Sequence, residues 1–203
     1  MEIKLQVILR SFNSDKIIDI LRRLSLSLIP ITSINVVIDK KKDLLNTPNL
    51  IKGLDFALPI KTIELENYGW SKALNAAIEQ LEPSEVSNIT EFIMPISNEV
   101  IIEPEHFELL IDAAKQENAS CGYALFKDRY ESSYSIPRNT CIIWKRSVLS
   151  TIGDFDEHLD NLGGMEDYDM VLRANNHLGL LPFAAKKRIG LIVRNPEGFQ
   201  KKN

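Results

Sequence analysis

Short apolar strands alternate with amphipathic helices along the first half of the chain, and this alternation restricts the fold more than any other feature. Residues 3–9, 33–38 and 90–94 have the apolar or β-branched character of buried strands. Apolar residues at helical spacing predict helices over 15–24 and 70–81 and a third helix that starts at Pro104. Repeated strand–helix–strand units predict a largely parallel sheet covered by helices.

The pattern changes after residue 118. The second half contains predicted strands at 121–127, 140–144, 180–185 and 189–193 and predicted helices at 146–152 and 166–178. The polar loop at 128–139 is long enough to act as a functional flap. We therefore predict an α/β fold with a mixed, mainly parallel sheet flanked by helices.

Length and charge favour one domain and exclude several classes of protein. The 203 residues predict a single domain over 1–203 with a loose tail at 195–203. With a net charge of -4, the chain lacks the basic character of a nucleic-acid-binding protein. Two cysteines are too few for a disulfide framework, and no apolar stretch approaches the ~20 residues that span a bilayer. We expect a cytoplasmic protein with reduced thiols.

The strongest local signal for chemistry is an acidic helix start. Gly163 and Gly164 lead into Glu166 and Asp167, where the helix dipole favours negative charge. An ionised carboxylate at a rigid helix start is well placed to act as a general base on a bound hydroxyl. From spacing alone, complementing the dipole of a solvated helix is the commoner role for such residues, and both interpretations stay open here.

A second candidate segment precedes the helix at 70–81. Gly69 allows a tight turn or a close backbone approach there, and the unpaired amides of a helix start bind phosphate, so this segment is a candidate for the diphosphate side of a nucleotide site. A structural turn is the alternative. The sequence contains neither a GxxxxGK[ST] string nor a GxGxxG string after a strand.

These segments together resemble the family 2-like glycosyltransferases of the GT-A (nucleotide-diphospho-sugar transferase) fold. The family's P-x-[YF]-N string corresponds to Arg10-Ser-Phe-Asn13, and its N-x-G-x-x-x-A-x-N-x-[GA]-I string begins at Asn67 and ends at Ile78. Three later family motifs match Trp144-Lys-Arg146, Gly153-Asp-Phe-Asp156 and Glu166-Asp-Tyr-Asp-Met-Val-Leu-Arg173. The run Gly163-Gly-Met-Glu-Asp167 is also similar to the acceptor-side helix start of galactosyltransferases.

The resemblance implies a nucleotide-binding half at 1–100, an acceptor half at 101–194 and a role for each matching residue. Asp167 is implied as the catalytic base, with Glu166 beside it on the acceptor side. The implied donor and nucleotide-binding residues are Phe12, Asn13, Asp39, Asn67, Gly69, Asn75, Ser97 and Asn98. Gly163, Gly164 and Trp144 are implied on the acceptor side.

The chain departs from the family at the metal site. Ser97-Asn98-Glu99 stands where the family has Asp-x-Asp, so Glu99 is the one anionic ligand available to Mn2+ or Mg2+ at this position, and we expect weak metal binding. Alternatively, cations of the tail (Lys186, Lys187, Arg188 and Arg194) neutralise the diphosphate. A solvated turn between two strands is the structural interpretation of the same residues, and both stay open here. A third outcome is a chain that has kept the fold and lost the reaction.

The reaction implied is transfer of a sugar, with inversion, from a nucleoside diphosphate donor to a glycan or other hydroxyl acceptor. A homodimer could complete the acceptor wall. Two other functions stay open at this stage. One is a noncatalytic module that binds a nucleotide or glycan through a degenerate site, and the other is a nucleotidyltransferase of related fold.

Overall fold

The computed structural model describes residues 2–11, 16–54, 57–66, 69–81, 89–97, 100–101, 103–127, 142–161 and 165–192. The strands are β1 (Glu2–Ser11), β2 (Ile31–Asp39), β3 (Ile60–Leu65), β4 (Ile89–Ser97), β5 (Val100–Ile101), β6 (Ala119–Lys127), β7 (Ile142–Lys145) and β8 (Leu181–Ile192). The helices are α1 (Lys16–Ser25), α2 (Thr47–Lys52), α3 (Trp70–Glu79), α4 (Glu105–Ala114), α5 (Arg146–Ile152) and α6 (Glu166–Leu178), with a 3₁₀ helix η1 (Glu157–Asn161) before α6.

The strands form one mixed sheet in the order β3-β2-β1-β4-β7-β6-β8-β5. Strands β1 to β4 are mutually parallel, as the repeated strand–helix–strand pattern predicts. Strand β7 is antiparallel to β4 and β6, whereas β8 is parallel to β6. The predicted fold class, a mixed and mainly parallel sheet flanked by helices, is confirmed.

Helices cover both faces of the sheet and create two apolar cores. The front face, defined by α3, α5 and α6, packs on a cluster that includes Leu74, Trp144 and Met170. The back face, defined by α1, α2 and α4, packs on a cluster that includes Leu21 and Phe107. Cys121 lies fully buried in the front core, where burial raises the pKa of its thiol to about 12 and keeps it protonated.

Strand direction decides which helix ends meet at one edge. Strands β1 to β4 all end at the same edge of the sheet, here named the carboxyl edge. Because β8 runs in the same direction as β6 and β4, the helix that precedes β8 must end at the opposite edge. The first turn of α6 therefore lies at the carboxyl edge, on the front face.

Two parts of the fold differ from the sequence prediction. Strand β8 is continuous from Leu181 to Ile192, so Lys186, Lys187 and Arg188 lie within a strand and not in a turn between two strands. Register shifts in the β6–β8 pair, between Tyr123 and Leu125 and between Leu125 and Lys127, accommodate the charged run within the strand. The pattern also did not predict the short elements α2, β3, β5 and η1. Within the described residues, no helix is both long enough and apolar enough to cross a bilayer.

Candidate functional site

Three polar side chains lie together at the carboxyl edge on the front face. Side chains alternate between the faces of a sheet, and Ile8, Val37 and Ile93 contribute to the front core. Arg10, Asp39 and Ser97 therefore point to the same face. Arg10 is paired in register with Ser97 on β4 and with Val37 on β2, two residues before Asp39. We call these three residues the strand-end group.

The carboxylate of Asp39 is held in a defined position by the turn that follows β2. It is 6% exposed, and its Oδ1 accepts a hydrogen bond of 3.2 Å from the backbone N–H of Lys41. Its Oδ2 lies 3.2 Å from Nζ of Lys42. The turn thus presents a fixed, partly neutralised carboxylate at the place where a contact to the nucleoside was predicted.

Arg10 is held over an aromatic ring at the start of α3. Its guanidinium carbon lies 5.0 Å from the centroid of the Trp70 ring, within the range of a cation–π interaction. The Arg10 side chain is half-buried at the end of β1. The sequence analysis assigned no role to either residue, because their contact depends on strand register and not on a local motif.

The first amides of α3 are bound by a carboxylate of the chain itself. Asp160 of η1 accepts hydrogen bonds from the backbone N–H groups of Ser71 (2.7 Å) and Lys72 (3.3 Å). A Cβ atom on Gly69 would lie 2.1 Å from this carboxylate, so glycine permits the close approach. A diphosphate could use these amides only if Asp160 moved away, and the donor-side role of Gly69 stays a prediction.

Asn75 also binds the protein's own backbone. Its Oδ1 accepts a hydrogen bond from Phe155 N–H, and its Nδ2 donates to Phe155 O, both at 2.9 Å. Nδ2 also donates to Oε1 of Glu157 at 3.2 Å. The expected donor contact of Asn75 is therefore replaced by a clamp that joins two sequence motifs 80 residues apart.

Arg173 fixes the other end of the same loop. It donates to the carbonyl oxygens of Ile152 and Asp154, each at 2.8 Å, and its Nε donates to Asp169 Oδ2 at 2.9 Å. Gly153, with a φ of 82°, ends α5 between these two carbonyls. Residues 153–161 are thus anchored to α3 through Asn75 and to α6 through Arg173.

The two carboxylates at the start of α6 are buried. Glu166 is 5% exposed and Asp167 is 7% exposed, and within the described residues Oε2 of Glu166 has no hydrogen-bond partner. Buried polar atoms are usually hydrogen-bonded, so an acceptor of this kind at a helix start is suited to a ligand hydroxyl. The alternative of a solvated helix face does not describe these two residues, since a solvated face would expose them. The solvated-face interpretation fits Asp169 better, because Asp169 is partly exposed and is paired with Arg173.

Trp144 does not lie at an acceptor surface. It is fully buried in the front core and is paired in register with Cys121 on β6 and Ile93 on β4. A side chain without exposed surface cannot contact an acceptor, so the acceptor-side expectation for Trp144 is corrected. Several predicted site residues lie outside the described residues: Phe12, Asn13, Asn67, Asn98, Glu99, Gly163, Gly164 and Arg194.

Of the residues at the expected metal position, only Ser97 is described, and its surroundings do not favour a divalent metal. Ser97 is 4% exposed and uncharged, and the side chain paired with it in register is the cation Arg10. Mg2+ and Mn2+ prefer carboxylate oxygens, and a fixed cation beside them is electrostatically unfavourable. Among the described residues no group of three or more His, Cys, Asp or Glu side chains could hold a metal ion.

Substituting Gly69 by alanine is expected to lower the melting temperature, because the new methyl group displaces Asp160 and uncaps α3. Loss of a helix cap costs about 0.5–2 kcal/mol of unfolding free energy. Gly53→Ala is the matched control, since a Cβ there would lie at an ordinary 3.6 Å from its nearest neighbours. Thermal unfolding followed by circular dichroism measures both. In an Asp160→Ala background the Gly69→Ala change should add little, and full additivity would contradict the contact.

No protein-family model matches the sequence, and no curated protein matches it in sequence. Solved structures nevertheless resemble the chain over almost its whole length. Residues 1–349 of TarS from S. aureus superpose with a TM-score of 0.70 at 18% identity, covering 93% of this chain and 60% of that one. A complex of the same TarS fragment with UDP-GlcNAc gives the same TM-score and identity.

A second protein has the same architecture. The mannosyltransferase PcManGT from Pyrobaculum calidifontis, solved with GDP-Man and Mn2+, superposes with a TM-score of 0.73 at 12% identity and covers 95% of this chain. The chain spans about three fifths of the length of these structures. Similarity at this level of identity establishes the fold, which is that of the GT-A-type glycosyltransferases, and leaves the activity to be argued from the site.

Proposed function

We propose that this chain is a glycosyltransferase that moves a sugar from a nucleoside diphosphate to a hydroxyl acceptor with inversion at the anomeric carbon. The observation that carries the proposal is the position of Asp167. Its buried carboxylate lies at the start of α6, at the carboxyl edge and on the same face as the strand-end group. Open α/β sheets bind their ligands outside the carboxyl ends of the strands.

In the proposed reaction, the acceptor oxygen attacks the anomeric carbon opposite the diphosphate. Asp167 takes the proton of the acceptor hydroxyl as the new carbon–oxygen bond forms. The bond between the anomeric carbon and the diphosphate oxygen breaks, and its electron pair leaves with the nucleoside diphosphate. Glu166 accepts a hydrogen bond from the acceptor sugar and orients it, a role suited to its buried Oε2.

The donor is proposed to lie across the ends of β1, β2 and β4. Asp39, together with Phe12 and Asn13, would contact the nucleoside, and Ser97 and Asn98 would lie beside the diphosphate. Support for a nucleotide sugar comes from the structures of the same fold that were solved with UDP-GlcNAc and with GDP-Man. Gly163 and Gly164 are proposed on the acceptor side. Assignment to family 2 and the galactosyltransferase-like segment also remain proposals.

A noncatalytic binding module is the second candidate. It is favoured by one observation, the neutral and buried Ser97 where the resemblance predicts an aspartate. Such a module would bind nucleotide sugars at the same edge and leave them intact. Binding alone therefore cannot separate the two candidates, and turnover can.

A panel of nucleotide sugars tests the proposal. Calorimetric titration with UDP-GlcNAc, GDP-mannose and the corresponding free diphosphates should identify at least one donor that binds. Release of UDP or GDP from that donor, with water or a glycan as acceptor, is the expected sign of an enzyme. NMR of the product should then show an anomeric configuration opposite to that of the donor. Binding without release would favour the module, and no binding to any member would reject both candidates.

A further inference from the structure

We infer that Arg10 binds the donor diphosphate and supplies the positive charge that stabilises the departing nucleoside diphosphate. This inference rests on the proposed function and names the residue that carries its electrostatic step. Arg10 is not one of the residues that the family resemblance implies, because it stands where the family's P-x-[YF]-N string has proline. Three features of the described residues support it: strand register, the contact with Trp70 and the charge around Ser97.

The register places Arg10 beside the expected diphosphate position. Arg10 on β1 pairs directly with Ser97 on β4, and both side chains point to the front face. Neighbouring strands lie about 4.8 Å apart, so the Arg10 side chain leaves the backbone at the position next to Ser97. We expect a diphosphate beside Ser97 to lie within reach of the Arg10 side chain.

Trp70 holds the guanidinium at this edge. The 5.0 Å stacking distance orients the planar group on the aromatic face, and α3, which begins at Trp70, is itself anchored through Asp160 on Ser71 and Lys72. A guanidinium stacked in this way keeps its donors in a planar fork that matches phosphate oxygens. Preorganised charge of this kind stabilises a developing anion without reorganisation during the reaction.

The charges around Ser97 favour an arginine over a metal ion. An aspartate at position 97 would place a carboxylate beside Arg10, whereas serine adds no negative charge at this pair of positions. Asp39, the carboxylate of the same group, is engaged by Lys41 and Lys42 of the next turn. Among the described residues, the position paired with Ser97 therefore holds a cation.

Arg10 forms and breaks no covalent bond in the proposed reaction. The anomeric carbon–oxygen bond breaks, the electron pair goes to the diphosphate oxygen, and the acceptor proton goes to Asp167. Arginine stays protonated throughout, because its guanidinium does not lose a proton in proteins. Its contribution grows as charge develops on the leaving group, so its removal should affect kcat as well as donor binding.

The test compares binding of a nucleoside diphosphate with binding of its nucleoside. UDP and uridine, or GDP and guanosine if the wild type prefers them, are titrated calorimetrically in 1 mM EDTA. Arg10→Ala is expected to weaken diphosphate binding about 10- to 100-fold, the range for hydrogen bonds between charged partners. Nucleoside binding should change less than about twofold, because the nucleoside has no phosphate. Arg10→Lys should recover part of the loss, since it keeps the charge without the fork.

Arg22→Ala is the matched control, because Arg22 is an exposed cation of α1 paired with Asp19. It should bind the diphosphate like the wild type. If Arg10→Ala does not fold, as judged by circular dichroism, Trp70→Leu removes the platform and should weaken diphosphate binding selectively. Equal diphosphate affinity in the wild type and in the folded Arg10 or Trp70 variant would overturn the inference while leaving the proposed function intact. A wild type that binds no nucleoside diphosphate would overturn the proposed function itself.

Metal dependence gives an independent readout. If Arg10 supplies the charge, wild-type donor turnover should fall less than about threefold when Mn2+ is replaced by EDTA. The double variant Arg10→Ala/Ser97→Asp exchanges the cation for a carboxylate and should turn over donor only with added Mn2+. A wild type that loses all turnover in EDTA would contradict a metal-independent role for Arg10.

Discussion

Asp167→Asn is expected to lower the rate of sugar transfer by about 10²- to 10⁴-fold, the usual loss when a positioned base is removed. Asparagine has nearly the same shape as aspartate but cannot accept the acceptor proton. Because Asp167 is buried at the start of α6, bulk water has little access to replace it. Steady-state measurement of kcat and of kcat/KM for the acceptor gives the size of the loss.

Two further measurements separate a chemical effect from a structural one. Donor affinity, measured by calorimetry, and the melting temperature should stay close to those of the wild type. Asp112→Asn serves as control, because Asp112 is an exposed acid on α4 at the back of the sheet. Turnover of Asp167→Asn equal to that of this control would remove Asp167 from the role of base. Glu166→Gln should instead raise KM for the acceptor more than it lowers kcat.

The architecture could be predicted because its signals are local. Helix α6 runs from Glu166 to Leu178 as predicted, since acidic residues at its start and Gly179, with a φ of 65°, at its end mark both termini in the sequence. The spacing of Ala73, Leu74 and Ala77 likewise reports a buried face of α3 without reference to other elements. Strand β3 lacked such a signal because it is an edge strand with several exposed residues.

The contacts that build the site could not be predicted, because they join distant parts of the chain. The hydrogen bond of Asp160 to Ser71 spans 89 positions, and the clamp of Asn75 on Phe155 spans 80. A motif shows that such residues matter but not whether they bind a ligand or the protein. Gly69 and Asn75 were assigned to the donor for this reason, and the structure places them against the loop that leads to α6.

The roles of residues on strands could not be predicted for a different reason. Such a role depends on the face of the sheet to which the side chain points and on the register of the strand. Trp144 matched an acceptor-side motif, yet its pairing with Cys121 and Ile93 buries it in the front core. Arg10 had no assigned role, yet its pairing with Ser97 brings it to the candidate site. A shift of one position along either strand would reverse both conclusions, and the sequence alone does not give the register.

Arg146, the arginine of the Trp144-Lys-Arg146 motif, has a structural role at the edge of the sheet opposite the carboxyl edge. Arg146, the first residue of α5, donates to Glu91 Oε2 at 2.9 Å, to Leu81 O at 3.0 Å and to Gln6 Oε1 at 3.3 Å. The side chains of Arg146 and Glu91 are 18% and 10% exposed. These contacts join α5 to β1, to β4 and to the end of α3, at the edge opposite the start of α6.

Arg146→Met is therefore expected to lower the free energy of unfolding by at most about 3–5 kcal/mol, the range for breaking a fully buried ion pair on one side, because this pair keeps some exposed surface. Most of this loss comes from leaving the Glu91 carboxylate buried without its cation, so Arg146→Met/Glu91→Leu should recover a large part of it. Urea denaturation followed by circular dichroism measures both variants. Arg22→Met, which removes an exposed partner of Asp19, should cost at most about 1 kcal/mol. A loss for Arg146→Met no larger than this control would show that the buried pair does not hold α5 to the sheet. Donor affinity measured below the unfolding transition should be unchanged, because Arg146 lies at the edge of the sheet away from Asp167.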